Sequence, residues 1–202
     1  MFVTFEGCEG VGKSTQVRLL KEYLERTGQS AVFVREPGST KISEQIRNVI
    51  ANPENTEMTD ITEAMLFAAS RAQLVREVIR PALERGELVI CDRYVDSSVA
   101  YQGYARGMGV ERIKQINAPA IDGLLPDLTI FIDLKPSDAW RTFKNSDRLE
   151  QESADFHDRV YDGYIAEMRG SNGRIVPIKP DFDKLVTNER IINVMREKGA
   201  LK

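Results

Sequence analysis

The residues most able to do chemistry stand near the start of the chain, in the octet Gly7-Cys8-Glu9-Gly10-Val11-Gly12-Lys13-Ser14, followed by Thr15. A glycine, four residues and then Gly-Lys-Ser is the spacing of a phosphate-binding loop. Gly7, Gly10 and Gly12 allow a tight turn in which successive N–H groups face phosphate oxygens. A helix beginning at the end of the loop adds the positive end of its dipole. In such a loop Lys13 reaches the outer phosphates of a nucleotide and the Ser14 hydroxyl ligates Mg²⁺. A Gly-rich turn can match this pattern by chance, so the context decides. Met1 to Glu6 is apolar and β-rich, which predicts a strand before the loop. Leu19, Leu20 and Leu24 recur at helical spacing up to Gly28, which predicts a helix after it.

Two further charged groups fall after short apolar runs. Ala31 to Val34 reads as a second strand and leads into Arg35-Glu36-Pro37-Gly38; Leu88 to Cys91 reads as a third and is closed by Asp92-Arg93. Ligands of an open α/β sheet bind outside the carboxyl ends of its strands. One charge there is ordinarily a solvated loop residue, but three such sites, one of them a phosphate loop, favour a pocket for several phosphates. Phosphoryl transfer chiefly needs positioning and charge stabilisation. Lys13 and Mg²⁺ would serve one phosphate chain, while Arg35 and Arg93 would grip an opposing group with their planar forks. Asp92 would hold Mg²⁺ through water or cap a turn. Phe67 and Arg71, four residues apart, share a helix face. They suit stacking on a base and bonding its edge, but taken alone they read better as a core Phe and a surface Arg.

The remaining elements alternate. Helices are predicted around Ile42 to Ile50, from an Asp60–Glu63 capping pair to about Ile79 with Pro81 interrupting the end, from Tyr94 to near Gly103, around Ile113 and Ile116, over Ser137 to Phe143, around Phe156 to Tyr164, and over Leu185 to Met195. Strands are predicted over Leu128 to Leu134 and Ile175 to Ile178, the latter at an edge because it contains Pro177. Strands alternating with helices imply an α/β fold with a parallel, doubly wound sheet. At 202 residues and 42% hydrophobic content the chain suits one domain over residues 1–202. A net charge of −3 argues against a nucleic-acid partner. No apolar run is long enough for a membrane span. Two cysteines, Cys8 and Cys91, make no disulfide framework, which points to a reducing, cytoplasmic setting and inert thiols.

Several of these segments together resemble one family. Phe5-Glu6-Gly7 with the phosphate loop, Arg35-Glu36-Pro37-Gly38, Phe67-Ala68-Ala69-Ser70-Arg71, Asp92-Arg93-Tyr94 with Ser97-Ser98 and Ala100-Tyr101-Gln102-Gly103, and Asp147-Arg148-Leu149-Glu150 with Phe156-His157 are similar to the bacterial thymidylate kinases over nearly the whole chain. The resemblance implies a P-loop nucleoside monophosphate kinase-like fold with a parallel five-stranded sheet flanked by helices, ATP and Mg²⁺, dTMP as acceptor, and a homodimer. By position it implies that Phe67 stacks on thymine and Arg71 bonds its exocyclic oxygen. Ser98 and Gln102 would complete the base pocket, Tyr101 would lie under the sugar, and Glu9 would stand near sugar and phosphate. Arg35, Arg47 and Arg93 would hold the dTMP phosphate. A cis peptide is implied before Pro37.

Two departures from the family stand out. Ser39 replaces a usual glycine, and a short lid near residues 141–150 offers Arg141, Lys144 and Arg148 but few arginines. Since Cys8, Glu9 and Val11 put no basic residue inside the phosphate loop, Arg148 or Arg141 is expected to supply the lid charge. His157 reads as a packing or surface residue and Trp140 as half-buried packing beside the lid. The alternatives are another nucleoside monophosphate kinase and a nucleotide-driven switch; the Asn-Lys-x-Asp guanine motif of a GTPase is absent from the sequence.

Overall fold

Five short strands form one sheet in the order β2-β3-β1-β4-β5, every neighbouring pair parallel. They are β1 (Phe2–Glu6), β2 (Val32–Arg35), β3 (Val89–Asp92), β4 (Leu128–Ile132) and β5 (Ile175–Ile178). The computed structural model describes residues 1–139 and 147–202. The central strands β1 and β4 are buried along their whole length, as their continuous apolar character requires when helices cover both faces. Pro177 lies on β5 at the sheet edge, opposite Phe131 of β4, where a missing N–H costs no inner ladder bond.

Around the sheet lie α1 (Lys13–Arg26), α2 (Lys41–Ala51), α3 (Asp60–Leu74), α4 (Arg80–Glu84), α5 (Val95–Ser98), α6 (Val110–Ile121), α7 (Pro136–Ala139), α8 (Ala154–Gly170) and α9 (Lys184–Glu197). One core cluster gathers Val3, Phe5, Leu20, Ile130, Phe156 and Tyr164. A second gathers Phe2, Leu74, Ile79, Val89 and Tyr94. The split follows β1, whose alternate side chains Phe2 and Val3 enter different clusters.

Three predicted helix details are corrected. Thr59, not Asp60, caps α3: its side chain accepts from the Thr62 N–H. Glu63 turns inward and is buried, because three cationic or amide side chains converge on it (below). Pro81 does not interrupt the helix. A π-helical turn over Val75–Ile79, with the Arg80 N–H donating to the Val75 carbonyl, carries α3 into α4. Pro81 then occupies the first turn of α4, where a missing donor is tolerated. The helix expected to end near Gly103 runs on instead as a π-helical stretch over Val99–Ala105 after α5, closed by the Arg106 N–H on the Tyr101 carbonyl. The predicted helix over Ser137 to Phe143 is seen in part as α7; its remainder from Trp140 and Arg141 on, and the lid residue Lys144 after it, lie outside the described residues.

Candidate active site

β1 aligns Phe5 with Asp92 of β3, and β3 aligns Asp92 with Arg35 of β2. Parallel register therefore delivers the phosphate loop, Asp92-Arg93 and Arg35 to one lip of the sheet. A cleft of about 540 Å³ opens there.

The loop follows Glu6 without a break. Gly7 has φ of 143°, and a Cβ there would stand 2.9 Å from the Ile132 carbonyl oxygen, so only glycine lets the loop pass the end of β4. Gly10 and Gly12 also have positive φ, and α1 begins at Lys13. Glu9, Gly10, Gly12, Lys13, Ser14 and Thr15 reach the cleft wall, while Gly7, Cys8 and Val11 are buried and do not line it. The Lys13 ammonium donates to the carbonyls of Gly7 (2.9 Å) and Cys8 (2.6 Å). Burial, with Arg93 adding, pulls its pKa below the usual lysine range, against the pull of Glu9 and Asp92. The Ser14 hydroxyl donates to Asp92 Oδ2 at 3.0 Å. A hydroxyl in the first turn of α1 beside a carboxylate at the end of β3 makes a pair of hard oxygen donors that fit Mg²⁺. That ion ordinarily takes one or two protein oxygens and completes its shell with phosphate and water.

Facing the loop, Arg93 has φ of 70° and is held on several sides. Its Nη1 donates to the Gly7 carbonyl, Ser97 Oγ and Tyr164 OH at 3.0, 3.2 and 3.1 Å, and its Nη2 to Glu9 Oε1 at 2.7 Å. Tyr101 OH also donates to Glu9 Oε1, at 2.9 Å. Burial raises the Glu9 pKa, but the Arg93 guanidinium and Lys13 ammonium outweigh it and bring the carboxyl down to about 2. Beneath this group lies Glu6, which accepts from the Tyr94 N–H, Ser97 Oγ and Tyr164 OH at 2.7, 2.6 and 2.8 Å. Burial and Asp96 push its carboxyl up to about 7.

The peptide Glu36–Pro37 is cis, as the resemblance implied. Arg35 is engaged by both carboxylate oxygens of Glu44 at 2.9 Å, and Arg47 donates to the Pro37 carbonyl at 3.3 Å. Ser39 keeps the left-handed backbone that a glycine would adopt freely, with φ of 70°. Its hydroxyl accepts from the Arg35 N–H and its own N–H donates to Glu44, contacts that offset the strain.

Phe67, Ser98, Tyr101 and Gln102 all reach the cleft. Arg71 does not line it. It is neither surface Arg nor open donor: with 1% of its side chain exposed it bonds Glu36, Ser98, Asn117 and the Tyr94 carbonyl. Its Nε is buried and has no partner among the described residues. Arg148, expected to carry lid charge, instead gives Nη2 to Glu63 Oε2 (2.5 Å) and Nε to the Ile50 carbonyl (3.1 Å), and it is absent from the cleft wall. Arg141 falls outside the described residues. Asp147, Leu149 and Glu150 do line the cleft. Both cysteines are free and buried; burial pushes the Cys8 thiol up to about 12, away from the thiolate form. His157 is buried against Phe156, a packing residue.

Sequence reasoning passed over Glu63, Ser97 and Tyr164 as functional residues. Tyr164 carried only a core-helix signal and Glu63 only a capping one.

A loop of the phosphate-binding pattern at the carboxyl lip of a β2-β3-β1-β4-β5 parallel sheet, opening on a cleft that Arg35, Arg47 and Arg93 also line, is the arrangement of a phosphate-loop kinase acting on nucleotides. A family model described as thymidylate kinase matches residues 5–191. The chain is 44% identical over 198 residues to the thymidylate kinase of Thermoanaerobacter sp. (strain X514), covering 97% of each chain. It is 50% identical over 177 residues to that of Symbiobacterium thermophilum, covering 87% of this chain and 83% of the other. The crystal structure of thymidylate kinase from Ehrlichia chaffeensis matches the fold with a TM-score of 0.80 at 33% identity, covering 97% of this chain and 98% of that one. The chain belongs to the thymidylate kinase family.

Proposed function

We propose that the protein transfers the γ-phosphoryl group of ATP to dTMP. An oxygen of the dTMP phosphate attacks the γ-phosphorus in line, ADP leaves, and dTDP forms. The observation that carries this reading is that the phosphate loop, the arginines and the Phe67–Ser98–Gln102 wall share one cleft. ATP lies with its phosphates on the loop amides and Lys13. Ser14 and Asp92 would hold Mg²⁺, which would supply charge neutralisation at the phosphate oxygens. Arg35, Arg47 and Arg93 hold the acceptor phosphate and Phe67 stacks on the base, while Arg71, standing behind that wall and bonded to Ser98 Oγ at 3.0 Å, is the donor that the resemblance assigns to the exocyclic oxygen. Tyr101, fixed by its bond to Glu9, stands under the sugar. With Arg148 tied to Glu63, the charge of the lid falls to Arg141 on this reading, and Arg141→Ala lowers kcat without altering the melting temperature.

The single domain works in the cytoplasm, consistent with two unpaired thiols, and among the described residues no helix is long and apolar enough to cross a membrane. It pairs as a homodimer through α2 and α3, where Ile42, Val49 and Met65 are exposed. The test of the activity is ADP formation with ATP and Mg²⁺, comparing dTMP with dUMP, dCMP, dGMP and AMP. Turnover led by dTMP supports the assignment. Turnover led by another acceptor discards the base-pocket roles, and no turnover with any acceptor discards the kinase reading.

A further inference from the structure

Glu63 is the most heavily engaged carboxylate near the cleft, yet it does not touch the cleft. Its Oε1 accepts from Gln102 Nε2 (2.8 Å) and Arg106 Nε (3.3 Å); its Oε2 accepts from Arg106 Nη2 (3.0 Å) and Arg148 Nη2 (2.5 Å). Burial raises its pKa, but the bonds from Arg106, Gln102 and Arg148 outweigh that and hold it ionised. An ionised carboxylate only accepts hydrogen bonds. Gln102 must therefore turn its NH₂ end to Glu63, and the two ends of an amide are opposed. Its Oε1 is left at the opposite end of the amide, where no donor of the described residues bonds it, and Gln102 lines the cleft together with Phe67 and Ser98.

We infer that Glu63 is a positioning residue that sets the polarity of the Gln102 amide, so that the pocket offers a carbonyl oxygen to a ring N–H and selects a thymine over a cytosine acceptor. The inference rests on the reading that dTMP occupies this wall. Thymine carries a hydrogen at ring N3 that Gln102 Oε1 accepts. Cytosine has a bare nitrogen there, and two acceptors face each other without a proton between them. A site built for one hydrogen-bond polarity rejects the opposite one because a buried group is then left unpaired. Uracil shares the N3–H, so this device leaves dUMP to other contacts.

The experiment measures kcat/KM for dTMP and for dCMP, and KM for ATP, on the full chain. If the unmodified protein does not use dTMP, the proposed function falls and this inference with it. If it does, Glu63→Gln tests the inference alone. Arg106 Nη2 and Arg148 Nη2 then take the carbonyl oxygen of the new side chain, the long 3.3 Å bond from Arg106 Nε is given up, the new NH₂ faces Gln102, and the Gln102 amide turns over to present NH₂ to the cleft. The dTMP-to-dCMP ratio is expected to fall roughly 10- to 100-fold, with dCMP turnover itself rising and KM for ATP unchanged. A loss shared equally by both acceptors, leaving the ratio where it was, overturns the inference. Should Glu63→Gln fail to fold by thermal melting, Gln102→Leu carries the test. A ratio reduced roughly 10-fold or more supports the amide's reading role, and an unchanged ratio overturns it.

Discussion

Glu6 shows how one residue joins stability to the site. It ends β1, is fully buried, and braces Ser97 and Tyr164 beneath Arg93. Its folded pKa is about 7 against an ordinary 4.5, raised by burial and Asp96 against the opposing pull of Arg93. Below pH 4.5 the carboxyl is protonated in both the folded and unfolded chain. Between 4.5 and 7 only the unfolded chain releases its proton, so stability present below 4.5 is lost as pH rises through 7. The loss attributable to this group is on the order of 3 kcal/mol. Melting from about pH 5 to 8 should show a steeper decline in the unmodified protein than in Glu6→Gln, which has nothing to titrate there. Parallel pH profiles for the two would remove this role from Glu6.

Among the elements, the π-helical stretch Val99–Ala105 and α8 form the tightest pairing near the cleft. Gly163 of α8 is where they meet: a Cβ there would stand 2.9 Å from Tyr104 Cβ and 3.0 Å from Ala100 Cα. Backbone atoms cannot swing aside, so Gly163→Ala should cost about 1–3 kcal/mol in urea unfolding. It should also raise KM for dTMP, because Tyr101 and Gln102 ride on the displaced stretch. A variant as stable as the parent would show that the two elements separate freely.

The segment after the lid is pinned in a different way. The Arg148 N–H bonds the Ala51 carbonyl while its side chain bonds Ile50 and Glu63, and Arg106 adds a pair to Glu152 at 2.6 Å. Arg148→Ala should therefore lower stability by about 1–3 kcal/mol, Arg106 still partnering Glu63. If kcat falls instead with stability unchanged, Arg148 serves the transferring phosphate as the lid expectation had it.

At the scale of the whole molecule, Ile42 and Val49 lie seven residues apart on one face of α2, both about half exposed, with Met65 of the adjoining α3 also exposed. Apolar side chains grouped in this way mark a surface that a second copy can cover. Sedimentation should give a dimer for the unmodified chain and a monomer for Val49→Asp. A monomeric parent would refute the pairing.

The phosphate loop, the alternation of strands and helices, the edge place of β5 and the cluster of charges at the strand ends were all legible in the residues, because each depends on local spacing. Gly7, Gly10 and Gly12 set a backbone turn, and apolar periodicity sets a helix or strand, whatever lies elsewhere in the chain. Only the family resemblance singled out Arg71 and Phe67, since their spacing alone reads as a core Phe and a surface Arg; the fold brings Phe67 to the cleft and buries Arg71 behind it. Glu63, read as a cap, became the hub of Gln102, Arg106 and Arg148 through packing. Arg148, read as a lid charge, is bonded to a carboxylate 85 positions away. The π-helical stretches had no signal in the spacing either. These features depend on which distant groups arrive at a buried charge. A buried carboxylate or guanidinium must be satisfied by whatever the fold brings within reach, and only the tertiary structure sets that company.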